Sequence, residues 1–428
     1  MSGADPASET SYRALLAVPW LTRILAAMMI ARIAQSMVAI AIVLFTLSEY
    51  GSPALTGLVT LAATLPGLLV SPIAGALLDR HGRMRLVRLD YLVAMLALAV
   101  IAFLSLLDAL PAWLLVLITG FSSLTAILSV TGLRSLFPVI VPEHLWERVN
   151  AVDSNGYVVA TIFGPPLAAA LVTIFGGPVA LLGTAVAFGL SAAALIGIPD
   201  PPTAVDSTGK LLRDALDGLR YAWRNQTIRG LAFSISSLNF AGGITTIVVP
   251  LIVLQRLGYS EAVVGITFAL SGIAGMISAL IFGRMDTRGR EWSLLVYPML
   301  AFAPAVAFLL PPAVIDGLDP VVGLLFLAGW AIVMGVANGP LDIALFTIRQ
   351  RRTDPAWTGR AFAVSMAMNF TGFPIGAAIG GALADRSLGL AIVPGILATL
   401  VAVVFAVTMV PRTDANPGSS AAPELAAD

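Results

Sequence analysis

The sequence predicts an all-α membrane protein of twelve transmembrane helices arranged as two six-helix bundles. Three observations predict it. The 428-residue chain is 58% hydrophobic and 11% charged, with a mean hydropathy of +0.94. It contains twelve apolar runs of spanning length, since ~20 residues at ~1.5 Å rise cross a ~30 Å hydrocarbon core. Its second half also repeats short stretches of its first half in the same order.

Six runs, at 24–48, 54–78, 86–107, 112–133, 151–175 and 177–198, fill an N-terminal bundle over 1–199. Six more, at 230–255, 261–283, 293–314, 320–346, 361–384 and 388–410, fill a C-terminal bundle over 230–410. Each must be a helix, because the bilayer core offers no water to backbone polar groups. The connection at 200–229 follows Pro199, and the flexible PDPPTAVDSTG (199–209) leads into KLLRDALDGLRYAWRN. There Leu212, Leu216, Leu219 and Trp223 share one helical face, and Arg213, Asp217, Arg220 and Arg224 lie elsewhere. An amphipathic helix with Trp on its apolar side suits a membrane surface; a solvated linker helix is the alternative. The first twenty residues do not read as a cleaved signal peptide, and 411–428 reads as a disordered cytoplasmic tail.

Charge supplies the orientation. Of 24 lysines and arginines, 21 fall on one side of the predicted spans, Arg256 and Arg386 on the other, and Arg32 inside the first. The positive-inside rule puts that side, with both termini, in the cytoplasm of a multi-pass cell-membrane protein. The opposite loops carry mainly acids: Glu49, Asp108, Glu261, Asp316, Asp319 and Asp385. Six of the seven tryptophans fall in loops or at span ends, as an aromatic belt requires. Trp330 alone falls near midplane.

Several function classes drop out. There is no cysteine, hence no disulfide or thiol chemistry, and a net charge of zero gives no reason to expect nucleic acid. Gly209-Lys210 is no phosphate loop, because Ala204 stands where the leading glycine belongs and Leu211 replaces the Ser or Thr that meets magnesium. His81 and His144 lie in separate loops without metal-ligand spacing, so no enzyme, metal or cofactor is expected. A membrane sensor would need an appended signalling domain, for which 1–19 and 411–428 are short.

The repeats carry the functional reading. GALLDRHGRMR (Gly75–Arg85) is echoed by FGRMDTRGREW (Phe282–Trp292), FGPPLAAAL (from Phe163) by GFPIGAAIGGAL (from Gly372), and WERVNAV (from Trp146) by WTGRAFAV (from Trp357). Two parallel halves are the build of a secondary transporter that rocks about a central site.

GALLDRHGRMR resembles motif A of the major facilitator superfamily, and the resemblance covers nearly the whole chain. RSLFPVIVPEHLWERVNA, DALDGLRYAWRNQTIRGL and NGPLDIALFTIRQ resemble the branch with macrolide-efflux proteins and the enterobactin exporter. The resemblance implies a conformational latch built from Gly75, Asp79, Arg80, Gly82 and Arg83, with Asp286 and Arg288 as counterparts in the second half. It sets Asp79 against the N-terminal end of span 11 and near Arg134 of span 4, favouring the outward-open state. Charge that only orients the chain in the membrane is the alternative. Gly164-Pro165 resembles the antiporter motif in part, although Ala160 and Ala168-Ala169 replace its other glycines.

Ionisable groups inside spans are costly and point to function. Arg32 lies roughly 12 Å deep at ~1.5 Å per residue, and Asp90 and Asp153 are its two candidate partners. Asp90, Asp153 and Asp342 each sit near the cytoplasmic ends of their spans. Trp330, Met334, Asn338 and Asp342 recur every four residues and are expected to form one face toward the interior; helix–helix packing is the alternative. Other interior polar groups, such as Gln35, are sparse, so the predicted cavity is poor in hydroxyls and amides. The prediction is a monomeric, proton-coupled exporter of a hydrophobic or amphipathic small molecule, with uptake or facilitated transport of a metabolite as the alternative.

Overall fold

A computed structural model describes residues 11–200, 219–285, 288–353 and 358–412. Among them, twelve helices are long and apolar enough to cross a membrane. After a short α1 (Tyr12–Leu16), the first half runs α2 (Leu21–Tyr50), α3 (Pro53–Ala62), α4 (Leu65–His81), α5 (Arg83–Leu106), α6 (Ala112–Ile140), α7 (Trp146–Phe175) and α8 (Gly177–Ala194). The second half runs α9 (Gln226–Leu251), α10 (Glu261–Phe282), α11 (Glu291–Ala307), α12 (Leu310–Val314), α13 (Pro320–Arg351), α14 (Thr358–Ala384) and α15 (Leu388–Met409). The second span is thus split between α3 and α4. Thr64 leaves the helix at φ −130°, and a proline in the first turn of α4 needs no N–H partner. Most of the predicted linker helix, over 201–218, lies outside the described residues; its end is helical at 219–224.

The chain divides into two compact units, Met1–Thr208 with Val253–Gly272, and Gly209–Ile252 with Ile273–Asp428. Each is built by the same pairing scheme. In the first, α2 packs along α7 and α8, and α5 along α6 and α8. In the second, α9 packs along α14 and α15, and α11 along α13 and α15. The sequence repeat is therefore also a packing repeat.

Small residues bring the paired helices together, as lipid-exposed bundles require. Gly372, Gly376 and Gly380 recur every fourth residue of α14 and face α9; a Cβ on Gly376 would run into the Phe240 carbonyl oxygen. Beside this seam the Asn239 amide donates to the Asn369 carbonyl at 2.9 Å. In the first unit Gly164 of α7 meets α2 in the same way, since a Cβ there would lie 2.5 Å from Ser36 Cβ.

The turn between α4 and α5 is held by a residue that sequence reasoning did not single out. Asp200, just beyond α8, accepts from the backbone N–H of Met84 at 2.6 Å and of Arg85 at 3.2 Å. It thereby caps the start of α5, where a carboxylate also meets the favourable end of the helix dipole. Gly82 adopts φ +89°, and a Cβ there would lie 2.8 Å from Asp200 Cγ. Gly82→Ala meets both strain and collision and is expected to cost about 1–3 kcal/mol, the range for a side chain forced into such backbone. The check is the thermal unfolding midpoint of the purified variant, which should fall clearly below wild type; an unchanged midpoint would show that the turn relaxes freely. The second unit ties off its last span comparably. Trp292 Nε1 donates to the Val410 carbonyl at 3.0 Å, and Arg352 Nη1 to that of Pro411 at 2.7 Å.

Candidate substrate cavity and charge network

The second unit encloses a cavity of about 240 Å³ between α9, α11, α13 and α14. Its walls are chiefly apolar: Phe302, Phe346 and Phe370, Met334 and Met366, and aliphatic side chains. The polar lining is Asn239, Asn338, Asn369 and Asp342. Two of these amides already serve the wall. Asn239 bonds α14 as above, while Asn369, its amide oriented to satisfy both neighbours, donates to the Ser365 carbonyl at 3.0 Å and accepts from Arg349 Nη2 at 2.7 Å. Arg349 is 2% exposed, and its Nη1 also reaches Met366 Sδ at 3.0 Å. That leaves Asn338 and Asp342, one turn apart on α13, exposed to the cavity. Neither side chain has a hydrogen bond or ion pair to another protein group among the described residues. The expectation of few amides is thus corrected in number, since three line the cavity, of which Asn338 has no protein partner among the described residues.

Trp330 lies in the interior, as expected, but not on the face it was expected to share. It is 2% exposed and does not line the cavity, whereas Met334, Asn338 and Asp342 do. At 3.6 residues per turn a four-residue step drifts by about 40°, so three steps carry Trp330 about 120° from Asp342. A four-residue recurrence over that length is a spiral, not one face.

The first unit holds the charge network. Arg32 Nη2 pairs with Asp153 Oδ1, and Arg32 Nη1 donates to the Asp153 backbone carbonyl at 2.5 Å. Arg134 Nε meets Asp153 Oδ2 at 3.1 Å. Both guanidinium groups lie over the Tyr157 ring, at 3.8 Å for Arg32 and 4.7 Å for Arg134. Gly156 makes room, since a Cβ there would come within 2.8 Å of Arg32 Nη1. Of the two candidate partners, Asp153 therefore holds Arg32, because α2 packs along α7. Asp90 is buried and accepts from the Thr125 hydroxyl at 2.9 Å, which replaces the expected arginine partner. Gln35 donates to Ser129 at 3.2 Å.

Arg134, assigned by resemblance to the latch, is thus engaged by Asp153. Of the other latch residues, Gly75 and Asp79 stand in α4, with the Asp79 side chain outside the described residues. Arg80 is exposed, Arg83 Nη1 donates to the Ser135 carbonyl at 2.9 Å, and Arg288 is exposed. Asp286 lies outside the described residues. Gly164 and Pro165 sit inside α7, and Gly265 packs on the next residue; its Cβ would lie 2.9 Å from Pro166 Cα.

Twelve spanning helices in two repeated units, with an apolar cavity carrying one carboxylate, define a polytopic membrane transporter. The chain belongs to the Major Facilitator Superfamily, whose family profile matches residues 24–330 and 231–427. It is similar to an uncharacterized MFS-type transporter, y4rN, of Sinorhizobium fredii, at 34% identity over 92% of this chain and 96% of that protein. It is also similar to the multidrug efflux pump Tap of Mycolicibacterium fortuitum, at 24% identity over 80% of this chain and 83% of the pump. Macrolide efflux protein A of Streptococcus pyogenes matches at 22% identity over 83% of this chain and 86% of that protein. Among solved structures, a mutant of the nucleoside transporter NupG superposes with a TM-score of 0.72 at 14% identity, covering 92% of this chain and 99% of that one, a likeness of fold.

Proposed function

We propose that the protein is a proton-coupled exporter of a hydrophobic or amphipathic small molecule, working by alternating access as a monomer in the cell membrane. The observation that carries this reading is the cavity of the second unit. Its walls are aromatic, thioether and aliphatic, and its one open acid, Asp342, supplies a group able to exchange a proton. Resemblance to the drug and macrolide efflux proteins favours export over uptake. The test is substrate-induced proton movement in liposomes containing the purified protein, using compounds first identified by protection of cells that express it. Export requires proton release coupled to compound uptake into inverted vesicles. Compound movement with no proton flux at any pH would favour facilitated transport instead.

The orientation belongs to the same proposal, with both termini cytoplasmic and the α4–α5 turn on that side beside the proposed Asp79 latch. Because the chain lacks cysteine, single cysteines can be introduced without background. A label that cannot cross membranes should react in intact cells with a cysteine at Ser52 or Asp316. It should react with one at Ser207 only after permeabilisation. The opposite pattern would invert the topology.

A further inference from the structure

We propose that the cavity of the second unit is a binding site for a monovalent organic cation with an apolar or aromatic body, its charge held by Asp342 and Asn338. The proposal deepens the export reading and rests on it for the physiological role, while binding itself stands apart. Asp342 and the amide of Asn338 open side by side into the cavity, with no protein partner among the described residues. An ionised carboxylate at membrane depth is costly without a counter-charge, and none lines this cavity among the described residues.

The surrounding wall is electron-rich. Phe370 presents ring surface that attracts cations, whereas the Phe346 ring already lies 5.7 Å beneath the Arg349 guanidinium; the Met334 and Met366 thioethers are polarisable and adaptable. The basic group nearest in sequence on the same helix, Arg349, is turned into the wall toward Asn369 and Met366 and does not line the cavity. An anionic ligand would therefore face Asp342 with no open cation to receive it. A neutral ligand would leave the carboxylate to be compensated by a proton alone. A bare metal ion fits poorly, because hard cations take roughly six or more oxygen ligands, and the polar lining is four side chains, one of whose amide oxygens already accepts from Arg349. A cation carried on an apolar group satisfies both the acid and the wall, and ~240 Å³ holds one head group with one ring.

The test is equilibrium binding of tritiated benzyltrimethylammonium to the full-length protein in lipid nanodiscs. Two competitors of similar shape separate the classes: benzyldimethylamine N-oxide, which is net neutral, and phenylmethanesulfonate, which is anionic. The wild type should bind the cation saturably, with the N-oxide competing at least tenfold more weakly and the sulfonate not at all. Asp342→Asn should weaken cation binding at least tenfold, Asp342→Glu should retain most of it, and Phe370→Leu should weaken it several-fold. Equal competition by the N-oxide overturns the proposal in the wild type, without recourse to any variant. Wild-type affinity in a folded Asp342→Asn protein would do the same. If uncharged compounds drive proton flux while the cation fails to bind, the export reading stands and this proposal falls. If the cation binds in an Asp342-dependent way without any proton flux, the reverse holds.

Discussion

Asp153→Ala is expected to destabilise the first unit by about 3–5 kcal/mol, the usual result of removing one partner from a buried ion pair. Asp153 holds Arg32 twice, through its carboxylate and its own carbonyl, and the Arg32 side chain is 6% exposed. Without the carboxylate, a buried guanidinium remains in α2 beside the Asp153 carbonyl and the Tyr157 ring. The readouts are the amount of folded protein recovered from membranes and its unfolding midpoint, both expected to fall sharply. Arg32→Met combined with Asp153→Leu removes both charges and should recover most of the loss, because no isolated charge is left behind. Arg134→Ala should cost no more than about 1 kcal/mol, since its side chain is 47% exposed and such pairs contribute little. Asp153 and Arg134 share a contact, so their losses should be less than additive. An Asp153→Ala protein as stable as wild type would mean that Arg32 finds water or another acid, and the network would lose its structural role.

The spans were legible in the sequence because the bilayer imposes one rule on all of them. Length and hydropathy alone place all twelve spans, though α6 runs on to Ile140, past the expected end at 133, and the second span is broken in two. The echo of FGPPLAAAL in GFPIGAAIGGAL anticipates that α7 and α14 make corresponding contacts. What the sequence withheld depends on which helices touch. Asp90 and Asp153 lie at similar depth in different spans, and only the packing of α2 along α7 decides that Asp153 meets Arg32. Asp200 looked like a linker residue; its capping of α5 follows from where α8 ends, which no local pattern records. The Asn338–Asp342 pair was visible because one helical turn separates the two residues. Trp330 was wrongly joined to it because the drift of an α-helix accumulates over three turns. The spacing Gly372, Gly376, Gly380 was a readable signal for close helix packing and needed only to be taken as such.

Asp342→Asn is expected to abolish proton-driven export while leaving downhill substrate exchange measurable at saturating substrate. The proposed exporter must draw on an ion gradient to move substrate uphill, and proton coupling needs a group that changes its hold on a proton as access alternates. A carboxyl group that is hydrated in one state and sheltered or ion-paired in another does so, because solvation and nearby charge both set proton affinity. Asp342 has the geometry for this, being open to the cavity and about 14 Å along α13 from Arg351 at ~1.5 Å per residue. Three acids of the first unit are differently placed, and Glu291 at the start of α11 is paired with Arg351. Asp90 is buried and accepts from Thr125, and Glu49 accepts from the Ser105 hydroxyl at 3.0 Å near the end of α2. Asp153 is committed to two arginines. A carboxamide at 342 keeps the shape and a hydrogen-bonding head but carries no exchangeable acid. Substrate therefore binds more weakly yet still crosses when its own gradient drives it, and concentrative transport is lost. The decisive measurement is substrate-induced proton release in proteoliposomes, comparing wild type, Asp342→Asn and Asp90→Asn across pH. Release should vanish in the first variant and persist in the second. If Asp342→Asn still releases protons at the wild-type rate, the proton travels by another acid and Asp342 serves substrate binding alone.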